Sequence, residues 1–313
     1  MILFWILIAL LAVVLLASYV CYRMAFHVVR KDTPETDAIE IPEGEIYEVF
    51  RPQMENWARE VRALPRQEFS ITSFDGLTLH GKFFEYKPGA PIELMFHGYR
   101  GSAERDLSGG VQRCFMLGRS ALIVDQRCSG KSDGHVITFG VHEHKDCLSW
   151  VDFLLEHFGS DVKIILTGIS MGASTVLMAA GYDLPDNVIG ILADCGFTSA
   201  REIIQEVIRQ MGLPAKLCYP FVKLGAKLFG GFDPEECSAI ENVKKATKPV
   251  ILYHGESDDF VPCWMSEKLY EACPSRKRLV KVPGAGHGLA FPVDQDGYLK
   301  AAREFFGPEA SAE

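Results

Sequence analysis

The chain has 313 residues, 48% hydrophobic and 23% charged. This ordinary globular composition sets aside disordered, collagen-like and repeat architectures. Its 41 acidic against 32 basic residues give a formal charge of -9, with no basic stripe, so no nucleic-acid partner is expected. Nine cysteines, an odd number without a C-x-x-C pair, fit reduced thiols rather than a disulfide framework or a zinc ribbon.

Residues Met1–Tyr22 carry no charged side chain. Roughly 20 apolar residues suffice to cross a bilayer as a helix. The run lacks the basic start of a secretory signal and exceeds the usual length of its apolar core, and Ser18-Tyr19-Val20-Cys21 does not resemble a lipoprotein cleavage site. A single-pass anchor over 1–22 is expected, with a cleaved signal as the alternative. Arg23, Arg30 and Lys31 flank its C-terminal side, and no Lys or Arg precedes it. By the tendency of such charges to stay cytoplasmic, the following domain is expected in the cytoplasm. Residues 23–45 read as a linker, acidic and proline-containing from Lys31 onward. Tyr47–Leu64 has helical spacing, with Phe50, Met54, Trp57, Val61 and Leu64 on one side and Pro52 marking a start or a kink.

From Phe69 to the C-terminus strands alternate with helices. Phe69–Phe74 and Leu77–Phe84 flank Asp75-Gly76, a hairpin signal. Short apolar runs follow at Ile92–Phe96, Ala121–Val124, Lys163–Leu166, Ile189–Ala193, Val250–Tyr253 and Leu279–Val282. Runs that do not alternate fit strands buried on both faces. Helical segments lie between them, most clearly His142–Phe158. The pattern predicts an α/β fold, a mostly parallel sheet of about eight strands with helices on both faces. Functional residues then belong on loops at the carboxyl ends of strands. Residues of about 198–232 contain two further helical stretches, Ala200–Met211 and Leu217–Phe229. They read as a cap over the strand ends, placing Leu217, Phe221, Leu224, Leu228 and Phe229 near an acyl pocket. The alternative is two ordinary packing helices.

Four strand-end loops carry chemistry. Gly168-Ile169-Ser170-Met171-Gly172 follows a strand and opens a helix, the setting in which G-x-S-x-G presents a nucleophilic serine on a sharp turn. The flanking glycines, Gly168 and Gly172, leave room for that turn. His97-Gly98-Tyr99-Arg100-Gly101 ends an earlier strand, and the backbone N–H groups of Tyr99 and Met171 are assigned to an oxyanion hole. His97 is expected to brace its loop. His254-Gly255-Glu256-Ser257-Asp258-Asp259 offers three carboxylates to orient a histidine, and Asp194 is a further candidate at the preceding strand end. Gly284-Ala285-Gly286-His287-Gly288 supplies that histidine. His142-Glu143-His144 does not form a metal motif, because i and i+2 do not share a helix face. Glu143 and Asp146 are expected to cap a helix. Arg100, Glu104, Arg105 and Asp106 are expected to form an ion-pair network.

These motifs resemble an α/β-hydrolase fold serine hydrolase. Among such proteins the chain is similar to bacterial membrane-anchored hydrolases of the dipeptidyl-aminopeptidase/acylaminoacyl-peptidase-like group. The resemblance spans about Phe69 to Phe306 and rests on HGYRG, VDQRCSGKSDG, GISMG, ADCGFTS, HGESDDFVP and GAGHG. The group's H-G-x-x-D-x-x-V-P pattern puts the triad acid on Asp258. Cys128 stands where a glycine is usual in D-x-R-G-x-G. The resemblance implies a triad of Ser170, Asp258 and His287 cleaving carboxylic esters of small or lipid-like acyl substrates through an acyl-enzyme. An amidase or small-peptide hydrolase with the same triad is the second reading. A non-catalytic hydrolase-like binding protein is the third. The chemistry calls for no cofactor and no metal. The expected partners are a small-molecule ester and, through the N-terminal helix, a membrane, with no obligate protein partner. The expected units are an anchor at 1–22, a linker at 23–45 and a hydrolase domain at 46–313.

Overall fold

A computed structural model describes residues 1–29 and 38–307. Residues 30–37, which hold Arg30, Lys31 and much of the expected linker, lie outside the described residues, as do 308–313.

In chain order the helices are α1 (Ile2–Ala25), α2 (Glu45–Glu48), α3 (Arg51–Ala63), α4 (Ala103–Met116), α5 (Glu143–Phe158), α6 (Met171–Ala179), α7 (Ala200–Gln210), α8 (Ala215–Gly225), α9 (Ala239–Val243), α10 (Trp264–Ala272), α11 (Ala290–Val293) and α12 (Gln295–Phe306). A single π-helical turn, Ala226–Gly230, continues α8. The strands are β1 (Gln67–Thr72), β2 (Thr78–Phe84), β3 (Ile92–Phe96), β4 (Ser120–Asp125), β5 (Ile164–Ile169), β6 (Val188–Asp194), β7 (Val250–Gly255) and β8 (Lys277–Val282). They form one sheet in the order β1-β2-β4-β3-β5-β6-β7-β8. β1 and β2 pair antiparallel around the Asp75-Gly76 turn, β2 meets β4 antiparallel, and all other neighbours are parallel. The sheet is therefore mixed at one edge, and the predicted strands agree with it to within a few residues.

Both faces are covered. Cys147, Trp150, Val151 and Leu154 of α5, together with α6 and α9, pack on one face. Trp57, Phe291, Tyr298 and Phe305 pack on the other with Leu192, Ile251 and Tyr253 of the sheet. A strand buried on both sides has no polar face, which is why the central strands read as unbroken apolar runs. The order in which strands are added reverses at β3, which has β4 on one side and β5 on the other, both parallel to it. The crevice at such a reversal is where open α/β sheets place their sites.

α4 has no clear signature in the sequence, because Gly109-Gly110 interrupts it. A Cβ at Gly109 would press on the Trp57 ring, and one at Gly110 on Met95. The glycines let α3 and the sheet approach α4. The expected ion-pair network is different in the structure. Glu104 pairs with Arg62 at 2.6 Å, Arg105 with Asp106 at 2.7 Å, and Arg100 turns away to α1. Asp146 does not cap α5 but holds Arg127 through both oxygens at 2.7 Å. Glu143 takes the N–H groups of Thr138 and Gly140, each at 2.8 Å. His144 bonds the Gly140 carbonyl and Tyr182. Cys128 adopts φ 70, the left-handed conformation that explains why glycine is usual there.

Under the sheet centre, Glu93 of β3 is fully buried and bonded to Arg113 and Arg119, each at 2.5 Å. Burial alone would raise its carboxyl, but the two guanidinium groups overcome this and hold it at about 2. Glu93→Gln leaves two buried cations without a counter-charge and should cost about 3–5 kcal/mol. Urea unfolding of the detergent-solubilised chain should show a lowered midpoint with an unchanged slope.

Candidate active site

A single residue turns the chain from β5 into α6. Ser170 sits at φ 55, ψ −116, between the last residue of β5 and the first of α6. A non-glycine residue rarely adopts this conformation. What imposes it is backbone proximity. A Cβ at Gly172 would collide with the carbonyls of Phe96 and His97, and one at Gly168 with the Gly172 backbone.

The turn aims Ser170 at His287. Ser170 Oγ donates to His287 Nε2 at 2.9 Å. His287 Nδ1–H donates to Asp258 Oδ2 at 2.7 Å. The carboxylate oxygen can only accept, so the imidazole proton lies on Nδ1 and Nε2 is free to accept. Asp258 is buried and also takes the N–H groups of Phe260 at 3.0 Å and Val261 at 2.8 Å on Oδ1. His254, fully buried, approaches Oδ2 at 3.3 Å. Its Nε2–H donates to the Val261 carbonyl at 2.8 Å, and its Nδ1 takes the Ser266 hydroxyl at 2.6 Å. Burial works to raise the Asp258 carboxyl, but hydrogen bonds from His254 and His287 prevail and hold it at about 2. Asp194 is placed otherwise. It accepts from Tyr298 Oη at 3.1 Å on one oxygen, and its other oxygen has no partner among the described residues. Burial pushes Asp194 above the ordinary carboxyl range. Asp259 and Glu256 do not bond His287, so of the four carboxylates considered the structure brings only Asp258 to it.

Beside these groups lie the two amides. Met171 opens α6, so its N–H is one of the four left without a helical partner. In the loop after β3 the Gly98 N–H is taken by Asp106 at 3.0 Å and the Gly101 N–H by the Gly98 carbonyl at 3.2 Å, so neither is a free donor. His97 braces the loop: its Nε2 accepts the Gln126 N–H at 3.0 Å and its Nδ1 donates to the Gly98 carbonyl at 2.7 Å. Cys195 Sγ lies within 4.8 Å of the Asp258 and His287 donor atoms. Burial drives that thiol far up and keeps it protonated.

A cavity of about 560 Å³ opens at Ser170 and His287. Its lining includes Ile46, Met54, Trp57, Leu107, Phe260 and Phe291, with the charged Glu43, Glu45, Arg105, Asp106, Arg113 and Asp194 also contributing. No residue of 200–231 lines it. This corrects the expectation that the α7–α8 insertion forms the acyl pocket. The apolar face of α8 instead packs on α1, where Gly225 abuts the Ser18 carbonyl and Tyr19 meets Phe229 edge-on at 5.2 Å. The pocket wall comes from residues 42–57, read in the sequence as the end of a linker and a packing helix. Tyr47 Oη fixes it by donating to the His287 carbonyl at 3.0 Å.

The sheet order, the elbow and the serine–histidine–carboxylate arrangement define an α/β-hydrolase. The model of the prolyl oligopeptidase family matches residues 138–311, more than half of the chain, and the chain belongs to that family. It is 31% identical to the Bacillus subtilis protein YqkD over 190 residues, 60% of this chain and 62% of that one. It is 28% identical to the Saccharomyces cerevisiae membrane protein YNL320W over 193 residues, 60% of this chain and 61% of that one. The chain thus spans a little over three-fifths of these relatives. Among solved structures, the Pyrococcus furiosus esterase Pf2001 superposes with a TM-score of 0.64 at 22% identity, over 87% of this chain and 98% of that one. Est1E of Butyrivibrio proteoclasticus, bound to ferulic acid, gives 0.57 at 22% identity, over 78% and 100%.

The depressed Asp258 carboxyl has a stability consequence of definite sign. A carboxyl held at about 2 in the folded state and near 4 when unfolded contributes about 2 kcal/mol above pH 4, lost as pH falls toward 2. Urea unfolding of the wild type and Asp258→Asn should show a stability difference that narrows by that amount between pH 5 and 2. A constant difference would contradict the depressed carboxyl.

Proposed function

We propose that the chain is a serine esterase held to a membrane by α1. Ser170 Oγ attacks the acyl carbonyl while His287 Nε2 takes its proton. Asp258 fixes the imidazole tautomer and stabilises the imidazolium. The N–H groups of Tyr99 and Met171 hold the developing oxyanion, each lowering the barrier by on the order of 3 kcal/mol. Collapse returns the proton from His287 to the departing alcohol. Water, deprotonated by His287, then attacks the acyl-enzyme and releases the acid. The observation that carries this reading is the unbroken hydrogen-bond chain from Ser170 through His287 to Asp258 at the mouth of an apolar cavity.

Ester substrates are favoured over amides by that cavity, whose apolar walls suit an acyl chain, and by the esterase names of the structural neighbours. The amide reading rests on the family's name. Ser170→Ala should abolish both ester hydrolysis and labelling by a fluorophosphonate probe while leaving the fold intact. Persistent labelling would move the nucleophile. Asp258→Asn should lower kcat by about three to four orders of magnitude, and Asp194→Asn far less. A panel of p-nitrophenyl esters against aminoacyl arylamides separates the two substrate classes. Ile46→Trp narrows the wall of the cavity and should shift the preferred acyl chain shorter. Leu217→Ala, on the insertion, should not.

α1 is long and apolar enough to cross a membrane, with mean hydropathy 2.8. We read it as an anchor and place the catalytic domain in the cytoplasm, on Arg23 at its C-terminal end. The described cysteines, all unpaired, accord with a reducing compartment. A membrane-impermeant maleimide added to intact cells should leave Cys114 and Cys128 unlabelled even on heating short of lysis. Labelling from outside would reverse the orientation.

A further inference from the structure

The C-terminal end of α1 is closed by the oxyanion loop itself. A helix leaves its last four carbonyls without helical partners, here those of Tyr22, Arg23, Met24 and Ala25. The Tyr22 carbonyl takes the N–H groups of Phe26 and His27, at 2.9 and 3.1 Å. The Ala25 carbonyl takes the Tyr99 hydroxyl at 2.7 Å. The Met24 carbonyl takes Arg100 Nη2 at 2.9 Å, and the same nitrogen reaches the His27 carbonyl at 3.3 Å. A guanidinium at this end also complements the negative pole of the helix. Two consecutive residues of the loop are thus pinned to α1, and Arg100 holds the left-handed φ of 52.

The chain after α1 continues the attachment. The Val28 N–H bonds the His135 carbonyl at 2.9 Å, and the Ile137 N–H bonds the Phe26 carbonyl at 2.9 Å, with His27 and Val136 paired between them. Phe26 is fully buried, edge-on to Phe139 at 5.7 Å and to Phe232 at 5.2 Å. Phe139 in turn packs on the Tyr99 ring at 5.0 Å. The Tyr99 side chain is therefore fixed at both its hydroxyl and its ring by residues that depend on the end of α1.

We infer that Met24, Ala25 and Phe26 form a positioning element for the oxyanion hole, so that the apolar helix is a working part of the active site and not only a tether. The inference rests on the reading of Ser170 as nucleophile and the Tyr99 N–H as oxyanion donor. An oxyanion donor acts only when it is held within hydrogen-bond range of where the charge develops. A loop residue is free to rotate about its own φ and ψ. Tying its hydroxyl and the next guanidinium to fixed carbonyls removes that freedom.

The test uses the full chain in detergent micelles, with active sites counted by fluorophosphonate titration. Tyr99→Phe removes one oxygen and keeps the ring, and Arg100→Met removes the cation and keeps the length. Each should lower kcat per titrated site on an acetyl ester about ten- to a hundredfold, with KM within twofold. Inhibition by a trifluoromethyl ketone, which forms a tetrahedral oxyanion on the serine, should weaken by the same factor. Arg100→Lys should recover part of both losses. If both folded variants keep kcat per site and ketone affinity within twofold of wild type, α1 merely packs against the loop and the inference fails. It fails equally if the variants lose only titratable sites and not kcat per site. A wild-type chain that the fluorophosphonate does not label at Ser170 removes the esterase reading and the inference together, a result distinct from the other two.

Discussion

The backbone of Gly172 lies against the carbonyls of Phe96 and His97, where no Cβ fits. Much of the site follows from that approach. It draws the first turn of α6 onto the end of β3, which forces the residue between β5 and α6 into the strained conformation of Ser170. It also sets the Met171 amide beside the loop that carries Tyr99. The proposed nucleophile and both proposed oxyanion donors thus depend on one contact between two main chains. The contact is possible only because β3 and β5 are neighbours in the sheet, and so it is a consequence of the strand order.

Three buried carboxylates show how surroundings decide the state of an acid. Glu93 has two guanidinium partners and Asp258 has two imidazoles and two amides. In both, donors outweigh desolvation and the group stays ionised. Asp194 has one phenol and an oxygen without a partner, and desolvation prevails. The pair His254 and Ser266 does for Asp258 what the backbone cannot. Ser266 bonds His254 Nδ1, and His254 Nε2 lies 3.3 Å from Oδ2, the same oxygen that His287 Nδ1 meets, while the two amides sit on Oδ1.

The strands and the elbow were legible because their signals are local. A strand covered on both faces is apolar throughout, and the serine turn demands glycine two residues to each side. The carboxylate that meets His287 was legible only through a resemblance, since Glu256, Asp258 and Asp259 are alike in composition and differ in which way a loop turns them. α4 was hidden by Gly109-Gly110, whose reason is the ring of Trp57 from another helix. The pocket wall was assigned to the wrong segment for the same kind of reason. Nothing near Ile46 or Tyr47 announces that they lie against His287, 240 positions later. The apolar length of α8 suggested a cap offering its surface to an acyl pocket, whereas part of that surface is spent on α1.

The burial of Phe26 between Phe139 and Phe232 bears on the order of assembly. Ribosomes deliver Phe26 some two hundred residues before Phe232, so the earlier segment waits for its later aromatic neighbour. Contacts this distant in sequence form slowly, because a long loop must close before they are rewarded. Until then the second apolar cluster, which joins Tyr22 and Phe26 to Tyr219, Val222 and Phe232, is missing one wall. The cluster is therefore complete only when the segment after α1 and the region of Phe232, distant in sequence, have met.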